Sequence, residues 1–432
     1  MLNPTRILKL AILFLAVSCA AVDTKKRSAS VPITRNTVSI IDRFENKLAE
    51  KLLHLALNDI KAASKDERFH LVDTHRRKLN QSLDVSKLSA GNQRQLRLFE
   101  YLWHTEISKS DLAKTELSYM EKLNLETSLS SDAADFSAQA HDKLSTLHTK
   151  IRLLTGTPEQ ASLKPLFETP RNDPENYLPN THAGRQKYLD LIVDSLTKIE
   201  RLIPPLYLVR HSEFILEGIE DREDKLLFVY NTATKTLNID VGDMNQLPLY
   251  DVESVASYYG VPGMHTISSI RPLEIQSIIS IPGYVEGWAA YVTSNLNRMQ
   301  FFQHPDSELA GAYFEAMVIS LAIADIGLHT ENWSAEQATK FAMDSSPYPV
   351  TRLKNSIQVA SHKPGTFSAP LLARLQFEKL QEESNQVLKQ DFILSEFHDA
   401  VLNPGVLPFP ELQKVVTDWT KQKMLRFRPG NL

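Results

Sequence analysis

YLDLIVDSLTKIERLIPP, residues 188–205, decides the class of fold. Tyr188, Leu191, Ile192, Leu196, Ile199, Leu202 and Ile203 recur mostly at three- and four-residue steps. That spacing lines apolar side chains along one face of an α-helix. Pro204 and Pro205 stop the pattern, because proline lacks the N–H and its ring clashes with the preceding turn. Similar stripes run through Ile41, Phe44, Leu48, Leu52, Leu55 and Ile60, through Leu96, Phe99, Leu102 and Trp103, and through Leu144, Leu147, Ile151 and Leu154, the last closed by Gly156. These side chains are expected to form the core. Further helices are predicted near 249–260, 283–301, 308–328, 334–345, 370–390 and 408–425, and a Pro-, Asn- and Thr-rich loop near 157–183.

One region departs from the helical period. Leu227-Phe228-Val229-Tyr230 is a short β-type run, and Leu237, Ile239 and Val241 alternate with polar residues after a turn, which predicts a hairpin. No internal repeat is present. The expected fold is mainly α, a large helical globule with one small β-hairpin.

The N-terminus reads as an export signal. Arg6 and Lys9 precede an apolar run from Leu10 to Val17, followed by Ser18, Cys19, Ala20 and Ala21. The run is too short to span a bilayer, which takes roughly 20 residues. Leu15-Ala16-Val17-Ser18-Cys19 resembles a bacterial lipobox, in which Cys19 is acylated and becomes the first mature residue. Residues 1–19 are thus expected to be a lipoprotein signal, 20–36 a polar tether and 37–432 a single helical domain. Cys19 is the one cysteine of the chain, so the remainder can form no internal disulfide. Ala20 after the cysteine, where aspartate is absent, is compatible with the outer membrane of a Gram-negative bacterium, facing the periplasm. The net charge of -4, with both signs interspersed, gives no argument for nucleic acid as a partner. The expected attachment is to a membrane through lipid.

Chemical motifs are scarce. No GxGxxG or GxxxxGK[ST] nucleotide loop occurs. There is no HExxH and no two histidines stand three or four apart; His70 and His75 are five apart, and His141 and His148 lie seven apart on a polar helix face expected to meet solvent. No GxSxG elbow is present, and His398-Asp399, adjacent on a helix, is read as structural.

The most distinctive stretch is Tyr284-Val285-Glu286-Gly287-Trp288-Ala289-Ala290-Tyr291. It resembles the YVEGWALY motif of the bacterial family called domain of unknown function 885, and other segments keep that family's order. Asp325-Ile326-Gly327-Leu328-His329 with Trp333-Ser334-Ala335-Glu336-Gln337-Ala338 looks like its DTGLH…GWSREQA. Phe397-His398-Asp399 and Gly405-Val406-Leu407-Pro408 look like its FHD…GxLP. The resemblance is best over 225–425 and implies a metallopeptidase-like helical globule.

In that family a HExxPGH motif is expected to supply two zinc ligands and the general base, and the glutamate of YVEGW the third ligand. Here the corresponding stretch is Tyr258-Tyr259-Gly260-Val261-Pro262-Gly263-Met264. The Pro-Gly turn is kept, but Tyr258 and Met264 occupy the ligand positions and Tyr259 that of the base, leaving only Glu286. A neutral phenol is a poor zinc ligand and a poor base near neutral pH, and a thioether suits softer metals. The family's PGQALSYK segment corresponds to Pro364-Gly365-Thr366-Phe367-Ser368-Ala369-Pro370-Leu371, with Thr366 for its Gln and Pro370 for its Tyr, while Val318 and Leu321 stand where it has arginines. The resemblance therefore implies a catalytically inactive lipoprotein, its zinc lost, with a binding or scaffolding role at the envelope toward a peptide or envelope protein. Two alternatives stand beside it. One is a hydrolase with a rebuilt metal site using His265 and Glu286, with Asp325 and His329 in a residual cleft. The other is a purely structural envelope lipoprotein.

Overall fold

The computed structural model describes residues 35–112, 117–203, 213–220, 225–270, 274–299, 301 and 305–427. The expected signal, Cys19 and most of the expected tether lie outside them. The chain divides into two compact units between residues 114 and 115.

Among the described residues the first unit holds three α-helices, α1 (Arg35–Ala62), α2 (Lys65–Ser82) and α3 (Ala90–Leu112). The expected stripe on α1 is corrected by about one residue: the buried line is Ala49, Leu53, Ala56, Leu57 and Ile60, and Leu55 is 44% exposed. The helix carries leucines around more than one face, and two of its core positions are alanines, which a search for large apolar residues passes over. Between α2 and α3, the Trp103 indole donates to Asp73 at 3.1 Å and lies under the Arg76 guanidinium, 3.6 Å from the ring centroid.

The second unit opens with α4 (Tyr119–Thr127), α5 (Ala133–Thr155), α6 (Lys164–Asn172) and α7 (His182–Leu202). Gly156 ends α5 in the left-handed conformation, at φ 65°, and α7 ends before the prolines. Helix α6 occupies part of the expected loop. Pro165 stands in its first turn, where the missing N–H would have no partner, and Pro170 sits near its end. His148 is also corrected: its imidazole donates to the Ser345 carbonyl at 3.0 Å and packs on Phe167 rather than facing solvent.

The expected hairpin is present, as β2 (Phe228–Asn231) antiparallel to β3 (Thr236–Asp240), with Phe228 opposite Ile239 and Tyr230 opposite Leu237. A strand not expected from the sequence, β1 (Ile215–Ile219), pairs parallel to β3, giving the order β1-β3-β2. Then come α8 (Val252–Tyr259), the short α9 (Met264–Ser268), α10 (Pro282–Arg298), α11 (Pro305–Thr330), α12 (Ala335–Ser345), α13 (Val350–His362), α14 (Ser368–Leu388), α15 (Leu394–Leu402) and α16 (Phe409–Phe427). The fold is mainly α with a small three-stranded sheet. Helix α11 is apolar and long enough to cross a membrane, but 78% of its apolar window is buried within the protein. It packs on α5, α12, α13 and α14 as a core helix.

The tightest pairing is α10 on α14. A Cβ at Gly287 would lie 2.3 Å from the Ala373 Cβ and 3.1 Å from the backbone of α14. Only glycine permits that approach. Around it Trp288, Tyr284, Phe377 and Phe409 are fully buried, with Phe377 5.0 Å from both Tyr284 and Phe409, so the aromatic cluster binds α16 to the same pair. Substituting Gly287→Val should destabilise the protein by about 2 kcal/mol or more, because overpacking typically costs about 1–3 kcal/mol. Helix propensity offsets little of that, since β-branched residues sit low on the scale. Thermal unfolding of the purified variant measures it, and an unchanged midpoint would contradict the close approach.

Candidate functional site

The end of α8 and the start of α9 are joined by a turn over Gly260 to Gly263. A Cβ at Gly263 would fall 2.0 Å from the Tyr258 carbonyl oxygen, so the turn folds back on its own helix only with glycine there. The Gly263 amide donates to the Ser257 carbonyl at 3.0 Å. From α10, the Trp288 indole donates to the Pro262 carbonyl at 2.9 Å. The motif helix and the Pro-Gly turn are thereby tied together, which sets Glu286 on α10 beside Met264 on α9.

The positions singled out in the sequence converge. Tyr258, Tyr259, Met264 and Glu286 line one cavity of about 220 Å³. So do Val318 and Leu321 from α11, and Thr366 and Pro370 from the segment entering α14. Side chains that sequence reasoning missed complete the wall. Phe228 and Tyr230 come from β2, Phe314 and Met317 from α11, Phe367 from the loop before α14 and Arg352 from α13. Phe228 and Tyr230 stand two apart on a strand, a period that could have placed both on one face. The others depend on long-range packing. The rings touch in series: Phe228 stacks on Tyr259 at 5.5 Å, Tyr259 meets Tyr258 at 4.9 Å, and Tyr258 meets Phe314 at 5.8 Å.

A second cavity, of about 410 Å³, adjoins the first. Tyr230, Met264 and Glu286 line both and so form the partition between them. The remaining wall of the second is largely aliphatic, with Ile267, Ile270, Ile279, Ile281, Val285 and Val406.

Electrostatics sets the chemistry. Burial, reinforced by the charge of Glu126, pushes the Glu286 carboxyl from its ordinary 4.5 up to about 7. Burial pushes the Tyr258 and Tyr259 phenols well up, and Glu286 adds to it, so both stay neutral and neither acts as a base near neutral pH. Arg352 is buried and paired with Asp251, which also accepts from the Tyr348 hydroxyl at 2.7 Å. Arg374, outside the lining of this cavity, pairs with Glu315 and Glu378 and donates to Ser294 at 2.9 Å.

The remaining candidates sit elsewhere. His265 is buried, with Nδ1 2.8 Å from the Tyr230 hydroxyl and its ring edge-on to Phe214, and it lines neither cavity. Asp325 is fully buried and accepts from the amides of Gly365 (3.1 Å), Phe367 (3.0 Å) and Ser368 (3.2 Å) and from the Ser368 hydroxyl (3.1 Å). Burial raises its pKa, with the backbone donors and His329 acting the other way. His329 donates to the Ala360 carbonyl at 3.0 Å and stacks on Tyr119. Asp325 and His329 line neither cavity; they hold the segment that delivers Thr366 and Pro370 to it. His398 is fully buried, 3.0 Å from the Tyr291 hydroxyl. Among the described residues no three His, Cys, Asp or Glu side chains gather as metal ligands would. Two phenols, a thioether and one carboxyl do not suit zinc.

The profile of the bacterial protein of unknown function family DUF885 matches residues 109–416, and the chain belongs to that family. A presumed lipoprotein from Colwellia psychrerythraea shares the fold, with a TM-score of 0.63 and 18% identity over 85% of this chain and 69% of the other. A presumed lipoprotein of unknown function from Shewanella oneidensis does so as well, with a TM-score of 0.59 and 14% identity over 88% and 73%. No curated protein matches the chain.

Two outcomes follow from this geometry. Because the folded pKa of Glu286 is raised, the folded chain holds this proton more firmly than the unfolded chain. Its contribution to stability is complete below about pH 4.5 and is lost as pH rises to about 7. Glu286→Gln should therefore melt higher than the wild type at pH 8, by about 1–3 kcal/mol after allowing for water in the cavity, and equally at pH 4. Equal melting at both values would contradict the desolvated carboxyl. Asp325→Ala leaves three amides without an acceptor and should cost about 2–4 kcal/mol, read as a lowered urea midpoint.

Proposed function

We propose that this protein is an exported lipoprotein that keeps a metallopeptidase-type cleft for binding and has lost zinc hydrolysis. The observation that carries this is the make-up of the first cavity. Tyr258, Tyr259 and Met264, in the positions where family resemblance expects two ligands and a base, line it together with the retained Glu286. Arginine, glutamine and tyrosine positions have become Val318, Leu321, Thr366 and Pro370 on the same wall. A dication needs anionic or imidazole donors, and replacing two ligands and the base removes both the activated water and the group that takes its proton.

An open cavity favours binding over a purely structural role, since a collapsed cleft would be filled by its own side chains. The engagement of His265 with Tyr230 speaks against its recruitment, with Glu286, into a rebuilt hydrolase site. Export and lipid attachment at Cys19 rest on the lipobox-like Leu15 to Cys19 stretch and are in keeping with the two structural relatives described as presumed lipoproteins. On this reading the protein sits at the periplasmic face of the outer membrane, and a peptide or an envelope protein is the kind of partner it serves.

The test is elemental analysis of the purified protein with a peptidase assay on a mixed peptide pool. Zinc well below one equivalent, and no turnover that Glu286→Gln abolishes, is the expected result. Stoichiometric zinc with Glu286-dependent cleavage would refute the proposal.

A further inference from the structure

We propose that the two adjoining cavities bind a primary ammonium group carried on an apolar body, with Glu286 as counter-ion. This rests on the reading of the cleft as a zinc-free binding site.

The first ground is unmet polarity. Among the described residues, the Glu286 carboxyl and the Tyr258 and Tyr259 hydroxyls have no hydrogen-bond partner in the protein, although Tyr258 is only 7% exposed. Tyr259 and Glu286 are partly buried, so these polar atoms open onto the cavity and are available to a guest. All three line the first cavity and all three can accept a hydrogen bond. A primary ammonium offers three N–H donors and no acceptor, which suits a cavity whose wall carries one carboxylate and two phenol oxygens able to accept.

The second ground is the wall. Phe228, Tyr259, Tyr258 and Phe314 form a continuous series of ring contacts along the cavity. Aromatic faces attract organic cations, most strongly where water is excluded. Charge selects the same sign. The one cation among the described lining residues, Arg352, is already engaged by Asp251, so an anionic guest would meet Glu286 without a free positive partner.

The third ground is the neighbouring chamber. Glu286 lies on the partition, and the chamber beyond it is walled by Ile267, Ile279, Ile281 and Val285. A guest whose ammonium sits at Glu286 can place an aliphatic chain there. A small alkylamine and the free N-terminus of a peptide with an apolar first residue both have this chemistry.

Isothermal titration calorimetry of the purified full chain in detergent separates the cases. The probes are hexylamine, hexanol, trileucine amide with a free N-terminus, and its N-acetylated form. At least one free amine should bind, with its neutral counterpart at least about tenfold weaker, and Glu286→Gln should weaken the amine by at least about tenfold. Tyr258→Phe, which keeps the ring and removes the acceptor, should weaken it a few-fold. Preference for hexylamine assigns small amines and preference for trileucine amide assigns chain termini, and either supports the inference. Equal binding of amine and neutral counterpart overturns it, as does wild-type affinity in a Glu286→Gln protein folded by circular dichroism, or no heat from either amine. Should Glu286→Gln fail to fold, the neutral probes and Tyr258→Phe still decide. Absence of amine binding in zinc-free protein sinks this inference alone, whereas stoichiometric zinc with Glu286-dependent peptide cleavage sinks the reading beneath it.

Discussion

The absence of a side chain at Gly287 governs the second unit. It lets α10 lie against α14 closely enough that no Cβ fits between them. The neighbours of that glycine in sequence inherit their positions from the contact. Trp288 reaches back to the Pro262 carbonyl, and Glu286 lines both cavities. The dense aromatic packing around Tyr284, Phe377 and Phe409 then makes the arrangement rigid, because interiors at this density transmit displacement rather than absorb it. The same helix pair thus supplies both stability and the carboxyl of the cleft.

Around that carboxyl the residues that hold positions differ in kind from those that face the cavity. The turn, the tryptophan tie and the Asp325 cap on the segment before α14 are the parts that hold positions. The groups facing the cavity are mostly rings, aliphatics and a thioether. Scaffold residues answer to packing, where a small error costs a few kcal/mol regardless of function, whereas cavity-facing residues answer only to what enters the cavity.

The sequence revealed the helices with strong apolar periods and the β2–β3 hairpin, because both signals are local. It misplaced the buried face of α1, where Ala49 and Ala56 do the packing and Leu55 faces out. It passed over β1, since Glu217 and Gly218 interrupt any apolar alternation there, and the strand owes its existence to β3 beside it. Helix α13, absent from the helices expected, carries Leu353, Ile357 and Ala360 at helical steps. For the cavity, motif resemblance pointed to positions scattered from 258 to 370 that the fold gathers on one wall. Phe314, Arg352 and Phe367 were not legible, because their presence there depends on how distant helices cross. Asp325 and His329 were legible as notable and misleading as to purpose: a buried acid with four donors looks the same in sequence whether it caps a helix or holds a ligand.

The partition between the chambers has members of unequal stiffness. Tyr230 is anchored through its hydroxyl to His265. Met264 is an unbranched thioether with three rotatable bonds and no polar tie, the side chain best suited to adapting its shape. Rotation about those bonds would exchange space between the aromatic and aliphatic sides without moving the backbone. A change of that one side chain would alter the volume of both rooms at once, one gaining what the other loses.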